Sequence, residues 1–216
     1  MRLITFLRYA ASAVPRRLGR RRRLVDPLYD LAWLEEKGSL RLRPRRFDLA
    51  RRVESVVAAV PAAEGEKFEI AIPPGLQVTL DPDTFDRIVA SLVSNAVRYG
   101  EPPFRIATVP GEGETRVVFS DGGRGISPEF APRLFDRFAR SEISRKQSEG
   151  AGLGLALSRL YARANGGDLV YEATSDPGAH FCLILPAPSA ELSHTSRSAQ
   201  RARRRLAVEL HTRPTG

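Results

Sequence analysis

The run D-G-G-R-G-I-S-P-E-F-A-P-R-L-F-D-R-F spans Asp121 to Phe138, and G-A-G-L-G-L-A-L follows from Gly150 to Leu157. Two glycine clusters are held apart by a short apolar helix signal and a polar linker. The first cluster, Asp121-Gly122-Gly123-Arg124-Gly125, ends a strand-like run, Arg116-Val117-Val118-Phe119-Ser120. The second opens a helix-like run from Leu155 to Ala164. Glycine lets the backbone approach a ligand where a side chain would clash. At a helix start it leaves free N–H groups that suit a phosphate. An aspartate at the end of a buried strand can accept a hydrogen bond from an amino group such as the exocyclic amine of adenine.

Outward from this stretch, the chain reads as one domain with extensions. Its 216 residues suffice for a real core, and 42% hydrophobic with 27% charged residues is an ordinary globular balance. The net charge of +9 is not spread evenly. Residues 1–23 carry eight arginines and no acid, and residues 187–216 carry six arginines against two glutamates. Residues 24–186 are therefore mildly acidic, so no specific nucleic-acid partner is expected and the basic ends read as solvated arms. The one cysteine, Cys182, excludes a disulfide framework or a cysteine metal site and reads as a small core residue. No apolar run reaches the roughly 20 residues needed to cross a bilayer. The expectation is a cytoplasmic protein with no transmembrane segment.

In order, residues 1–23 form a basic extension and 24–39 carry helical periodicity ended by Gly38. Asp48–Val60 reads as a helix. Phe68–Ile72 and Leu76–Leu80 read as a hairpin closed by Pro73-Pro74-Gly75. Asp81 and Pro82 make a cap and first-turn pair for a helix that runs to Tyr99 and stops at Gly100. Its apolar face is Phe85, Ile88, Val89, Leu92 and Val93. Strands follow at Phe104–Val109 and Thr115–Ser120, and after the glycine boxes at Asp168–Ala173 and His180–Leu185. Residues 187–216 read as a basic disordered tail. The element count predicts a two-layer α/β (α+β) sandwich, three helices on one face of a mixed sheet of five or more strands. Ser91, Asn95, Arg98 and Tyr99 recur at helical spacing on one face, away from the apolar stripe.

Four boxes in order carry a resemblance. Ser94-Asn95-Ala96-Val97-Arg98-Tyr99 resembles an asparagine box, Asp121–Gly125 a D-x-G-x-G box, Leu134–Phe138 an L-F-x-x-F box and Gly150–Leu155 a G-x-G-L-G-L box. Together they are similar to the ATP-binding catalytic domain of sensor histidine kinases, in the gyrase/chaperone/histidine-kinase/mismatch-repair ATPase superfamily. The resemblance covers residues 24–186. It makes 24–39 a remnant of a dimerisation helix and its linker, and 40–186 the ATP-binding domain with a mostly antiparallel sheet.

The resemblance implies ATP and Mg²⁺ as cofactors. It makes Asn95 the metal ligand, and Asn95 and Arg98 the catalytic residues. Nucleotide contacts fall to Ser91, Asn95, Arg98, Tyr99, Asp121, Gly123, Gly125, Ile126, Phe138, Gly150, Ala151, Gly152, Leu153, Gly154 and Leu155. Asp121 anchors adenine, and the glycines of the second box present amides to phosphate. Phe135 and Phe138 pack to anchor a mobile ATP lid over Arg140–Glu149, from which Arg137, Arg140, Arg145 and Lys146 reach toward the phosphates.

Two departures qualify it. Position 91 is serine, where histidine kinases usually have asparagine and the hydrolysing relatives have the glutamate that activates water. The three histidines, His180, His194 and His211, all follow the second glycine box, and His180 reads as structural. A phosphoacceptor helix is absent from this sequence. The implied activity is therefore phosphoryl transfer in trans to a histidine-bearing dimerisation or phosphotransfer protein, and through it to a response regulator. Whether residues 1–40 pair two chains into a homodimer stays open. The competing readings are an anti-sigma-type serine kinase and a degenerate ATP- or partner-binding module.

Overall fold

The computed structural model describes residues 40–111, 113–140 and 152–186. The basic extension, the dimerisation-helix remnant, the basic tail, most of the lid with Arg145 and Lys146, and His194 and His211 lie outside the described residues.

The chain enters through strand β1 (Arg45–Asp48), whose last residue caps helix α1 (Leu49–Ala59): Asp48 Oδ1 accepts from Arg51 N at 3.0 Å. A 3₁₀ turn at Pro61–Ala63 leads to β2 (Phe68–Ala71) and β3 (Gln77–Leu80). Helix α2 (Pro82–Tyr99) begins as the sequence signals: Asp81 Oδ1 accepts from Thr84 N at 2.9 Å, and Pro82 occupies the first turn, where its missing N–H costs nothing. Strands β4 (Phe104–Pro110) and β5 (Glu114–Ser120) follow. Beyond the glycine boxes come α3 (Gly154–Ala164), β6 (Asp168–Tyr171) and β7 (His180–Pro186).

Five strands form one sheet in the order β2-β4-β5-β7-β6, antiparallel except for the β2–β4 pair. Alternation along β5 and β7 sends Val117, Phe119, Phe181, Leu183 and Leu185 into a core shared with the three helices. The five residues expected on the apolar face of α2 are all buried there. Each such side chain contributes roughly 1.5–3 kcal/mol by leaving water. The sheet and its helix layer form the expected two-layer sandwich.

The expected hairpin is not formed. β3 pairs antiparallel with β1 in a separate two-stranded sheet, while β2 joins the main sheet parallel to β4. Leu49 N donates to Leu76 O at 2.8 Å, and Phe47 meets Phe85 with ring centroids 5.3 Å apart. On the other side Phe68 stacks on Phe104 at 5.1 Å. Partners distant in sequence thus compete successfully against the local turn.

Ion pairs tie the layers together. Arg52 grips Asp86 through two 2.7 Å bonds, joining α1 to α2. Asp168 accepts from both Arg159 and Arg163, joining the start of β6 to α3. Cys182 is fully buried, as expected; burial pushes its thiol pKa up, and Arg116 Nε donates to its sulfur at 3.3 Å. His180 keeps a structural contact, with Nε2 3.3 Å from Pro177 O. Among the described residues, no helix is long and apolar enough to cross a membrane.

Candidate functional site

The site gathers at one end of the sheet, where β5 delivers Asp121. That carboxylate is 8% exposed. Its Oδ1 accepts from Gly123 N at 2.9 Å and from Ala179 N at 3.3 Å, which leaves Oδ2 outside both bonds. Two backbone amides on one oxygen hold the carboxylate in a single orientation. Glycines from three separate segments make room for it. A Cβ on Gly100 would fall 2.3 Å from Asp121 Cγ, one on Gly123 would fall 3.0 Å from Oδ1, and one on Gly178 would fall 1.7 Å from the Asp121 carbonyl oxygen. Gly178 also has φ +95°, and Gly125 has φ +70°, both in the region that favours glycine.

Sequence reasoning singled out Asp121, Gly123 and Gly125 but missed Gly178 and the Ala179 amide, and took Gly100 only as a helix stop. The available signal was the turn Asp176-Pro177-Gly178, which reads locally as a loop. Only the β5–β7 pairing, with Ser120 opposite His180, shows that this loop meets Asp121.

The second group lies on α2 and α3. Ser91 and Asn95 are half-buried, and Arg98 and Tyr99 lie exposed on the last turn of α2, Tyr99 at 41%. Ser91 and α3 touch: a Cβ on Gly154 would lie 2.9 Å from Ser91 Oγ. Asn95, one helical turn further on, therefore stands just beyond the start of α3. Among the described residues no side chain caps the N-terminus of α3. Asn95 on one helix and the N-terminal amides of the next make a place suited to an anion and its counter-cation.

Gly152 has φ +68°, and its Cβ position falls 2.8 Å from Phe138 C and Ala139 O. Phe138 N donates to Gly152 O at 2.9 Å. The two ends of the polar linker thus meet. Leu153 is buried in the core, and Leu155 and Ile126 pack against it. Gly150 and Ala151 lie outside the described residues.

The two lid phenylalanines divide. Phe135 packs against the core with the Arg159 guanidinium 4.8 Å over its ring. Phe138 is 62% exposed, with φ +63°, at the last described turn before the linker. The expectation that Phe138 anchors by packing is corrected: its backbone, in the left-handed region, bonds Gly152 while its ring stays exposed.

The family described as histidine kinase-, DNA gyrase B- and HSP90-like ATPase matches residues 80–189. AfsQ2, a signal transduction histidine-protein kinase of Streptomyces coelicolor, is 32% identical over 163 residues, 76% of this chain and 30% of that protein. The sensor histidine kinase component HK1 of Mycobacterium tuberculosis is 32% identical over 127 residues, 59% of this chain and 75% of that protein. Among solved structures, full-length ShkA in complex with AMPPNP aligns with a TM-score of 0.64 and 25% identity, over 78% of this chain and 36% of that one. The chain thus spans less than a third of AfsQ2 but most of HK1.

Proposed function

The chain belongs to the histidine kinase-, DNA gyrase B- and HSP90-like ATPase family, as an ATP-binding domain of the two-component histidine-kinase type, and from that premise we propose that it transfers the γ-phosphoryl group of ATP in trans, to a histidine on a separate dimerisation or phosphotransfer protein. The observation that carries this reading is Asp121: a carboxylate oriented by two amides, with three glycines clearing the space around it. In this reading Asp121 accepts from the adenine amine, and Gly123, Gly125 and Ile126 border the base and sugar. The amides at Gly152–Leu155 take phosphate oxygens, together with Gly150 and Ala151. Ser91, Arg98, Tyr99 and the outward Phe138 border the nucleotide.

Mg²⁺ suits this site as a rider on the nucleotide. Among the described residues no cluster of three or more His, Cys, Asp or Glu side chains could hold a metal. Mg²⁺ keeps several waters and leans on phosphate oxygens, so one amide oxygen, that of Asn95, is a sufficient protein ligand. Bound there, it would neutralise charge on the phosphates. The rest of the work is positioning, because phosphoryl transfer needs little covalent help. The β–γ bridging P–O bond breaks, ADP leaves, and a histidine ring nitrogen gains the phosphoryl group.

Position 91 supports transfer over hydrolysis, since no carboxylate stands one turn before Asn95 to activate water. Transfer in trans is supported by HK1, a relative named as a component and matched over 75% of its length. A second reading, an ATP-binding module without transfer, rests on the same Ser91, which replaces the usual amide.

One experiment separates these readings. The protein is incubated with γ-labelled ATP, alone and with histidine phosphotransfer or dimerisation proteins. Acid-labile, alkali-stable label is expected on the added acceptor and not on this chain. Histidine label on the chain itself refutes transfer in trans. Acid-stable label on an acceptor serine moves the chain to the serine kinases. Nucleotide binding with no acceptor labelled supports the binding module.

A further inference from the structure

We propose that Asn165 is a positioning residue: by locking the end of α3 to the start of α2, it sets the gap between Asn95 and the glycines that open α3. The inference rests on the reading of that gap as the phosphate site.

Asn165 ends α3, and its side-chain amide is fully engaged. Oδ1 accepts from Asp81 N at 2.9 Å, and Nδ2 donates to Thr84 Oγ1 at 2.9 Å and to Tyr161 O at 2.8 Å. Thr84 in turn shares its one Oγ1 proton between the Asp81 carboxylate and carbonyl oxygens, each 3.0 Å away. One side chain therefore closes a joint between the C-terminal end of α3 and the N-terminal end of α2. A plain helix stop needs none of these cross-helix bonds.

The helices run antiparallel from that joint. Arg87 NH1 donates to the Tyr161 hydroxyl at 3.2 Å one turn along, and Ser91 meets Gly154 beyond it. Thr84 to Asn95 is eleven residues, and so is Asn165 to Gly154. At 1.5 Å per residue both ends stand about 16 Å along their helices from the joint, with Asn95 one turn beyond the contact of Ser91 with Gly154. A relative tilt of about 5° would shift either end by roughly 1.4 Å. Misplacement on the scale of 1 Å costs about 100-fold at a reacting centre.

The adenine end is built differently. Asp121 is held by Gly123 and Ala179, on the sheet side, with no bond to this joint. Loosening the joint should therefore damage what the phosphates contribute and spare what the adenosine contributes. A merely structural role of Asn165 would weaken both alike, in proportion to unfolding.

The test compares Asn165→Ala, Thr84→Val and Arg52→Ala with the parent protein. Arg52→Ala removes the α1–α2 ion pair and is the stability control. Mg-ATP binding is read by calorimetry, AMP binding by NMR titration, and Tm alongside. For Asn165→Ala the Mg-ATP Kd should rise about tenfold or more, with the AMP Kd within about twofold of the parent. Thr84→Val, which keeps the shape and loses the hydroxyl's bonds to Asn165 and to Asp81, should move the Mg-ATP Kd the same way by about threefold. Arg52→Ala should lower Tm and leave both Kd values within about twofold. Equal weakening of AMP and Mg-ATP by Asn165→Ala overturns the proposal, as does an unchanged Mg-ATP Kd. If Asn165→Ala does not fold, Thr84→Val decides, and an unchanged ratio of the two Kd values overturns it. A parent protein that binds neither nucleotide overturns the phosphate-site reading and the proposal with it.

Discussion

Gly100→Ala isolates the Asp121 cradle from every backbone effect. Gly100 has φ −97° and ψ −173°, which alanine adopts without strain. The whole cost therefore comes from the added methyl group, which would fall 2.3 Å from Asp121 Cγ and 2.7 Å from its Cβ and Oδ1. Carbon atoms prefer about 3.5–4.0 Å, so more than 1 Å of clearance must be found. The local structure can shift, at the 1–3 kcal/mol typical of an overfilled site. Alternatively the Asp121 side chain can swing, releasing its bonds to Gly123 N and Ala179 N at roughly 1.5 kcal/mol or more each. Either route places the adenine acceptor about 1 Å from its working position. The expected result is a Tm lowered by several degrees and an ATP Kd raised about 10- to 100-fold, that is about 1.4–2.8 kcal/mol. Calorimetric titration and thermal melting measure both. Gly65→Ala is the matched control. Its φ of +83° strains alanine, but beyond its own chain neighbours nothing described lies within 4 Å of the added methyl, so it should lose about 1 kcal/mol of stability and no nucleotide affinity. A Gly100→Ala protein with unchanged Kd and unchanged Tm would refute the cradle argument.

Three further expectations follow from the same geometry. Asp121→Asn presents an amide where the adenine amine needs an acceptor, and calorimetry should find ATP binding abolished. Phosphate release by the protein alone should be very slow, and Ser91→Glu, which places a carboxylate one turn before Asn95, should raise it while nucleotide binding is kept; brisk release by the unaltered protein would contradict the assignment. Asp168 answers to acid. Burial alone would raise its pKa, but Arg159, Arg163 and the Leu169 amide outweigh it and bring the value to about 2, below the ordinary 3.8. A depressed carboxylate stabilises the fold above its unfolded-state pKa and loses that contribution as pH falls through the folded value. The advantage of the unaltered protein over Asp168→Asn, about 1 kcal/mol after allowance for its partial exposure, should hold from pH 7 to about 4 and be gone near pH 2 in denaturant titrations.

Much of this was legible one residue at a time. The Asp81-Pro82 pair and Gly100 mark both ends of α2 because capping and helix termination act between near neighbours. The stripe Phe85, Ile88, Val89, Leu92 and Val93 marks its buried face for the same reason: helical period is local. The glycine boxes, with Asn95 and Asp121, pointed to a nucleotide because their chemistry is carried by residue type. The strand partners were not legible. Pro73-Pro74-Gly75 is good local turn chemistry, yet β2 and β3 go to different sheets, since pairing is settled by which distant apolar surface each strand covers. Phe138 was expected to pack from the resemblance of its box, and it stands 62% exposed with φ +63°.

By itself, then, the sequence determined most of the elements to within a residue or two, the layer architecture and the residue types expected at a nucleotide site. Only the tertiary structure decided which segments surround them. Gly178 lies 57 residues from Asp121 and meets it because β5 and β7 pair. Asn165 lies 84 residues from Asp81 and meets it because α3 packs antiparallel on α2. Such contacts depend on burial summed over the whole core, and no short window of sequence contains that sum.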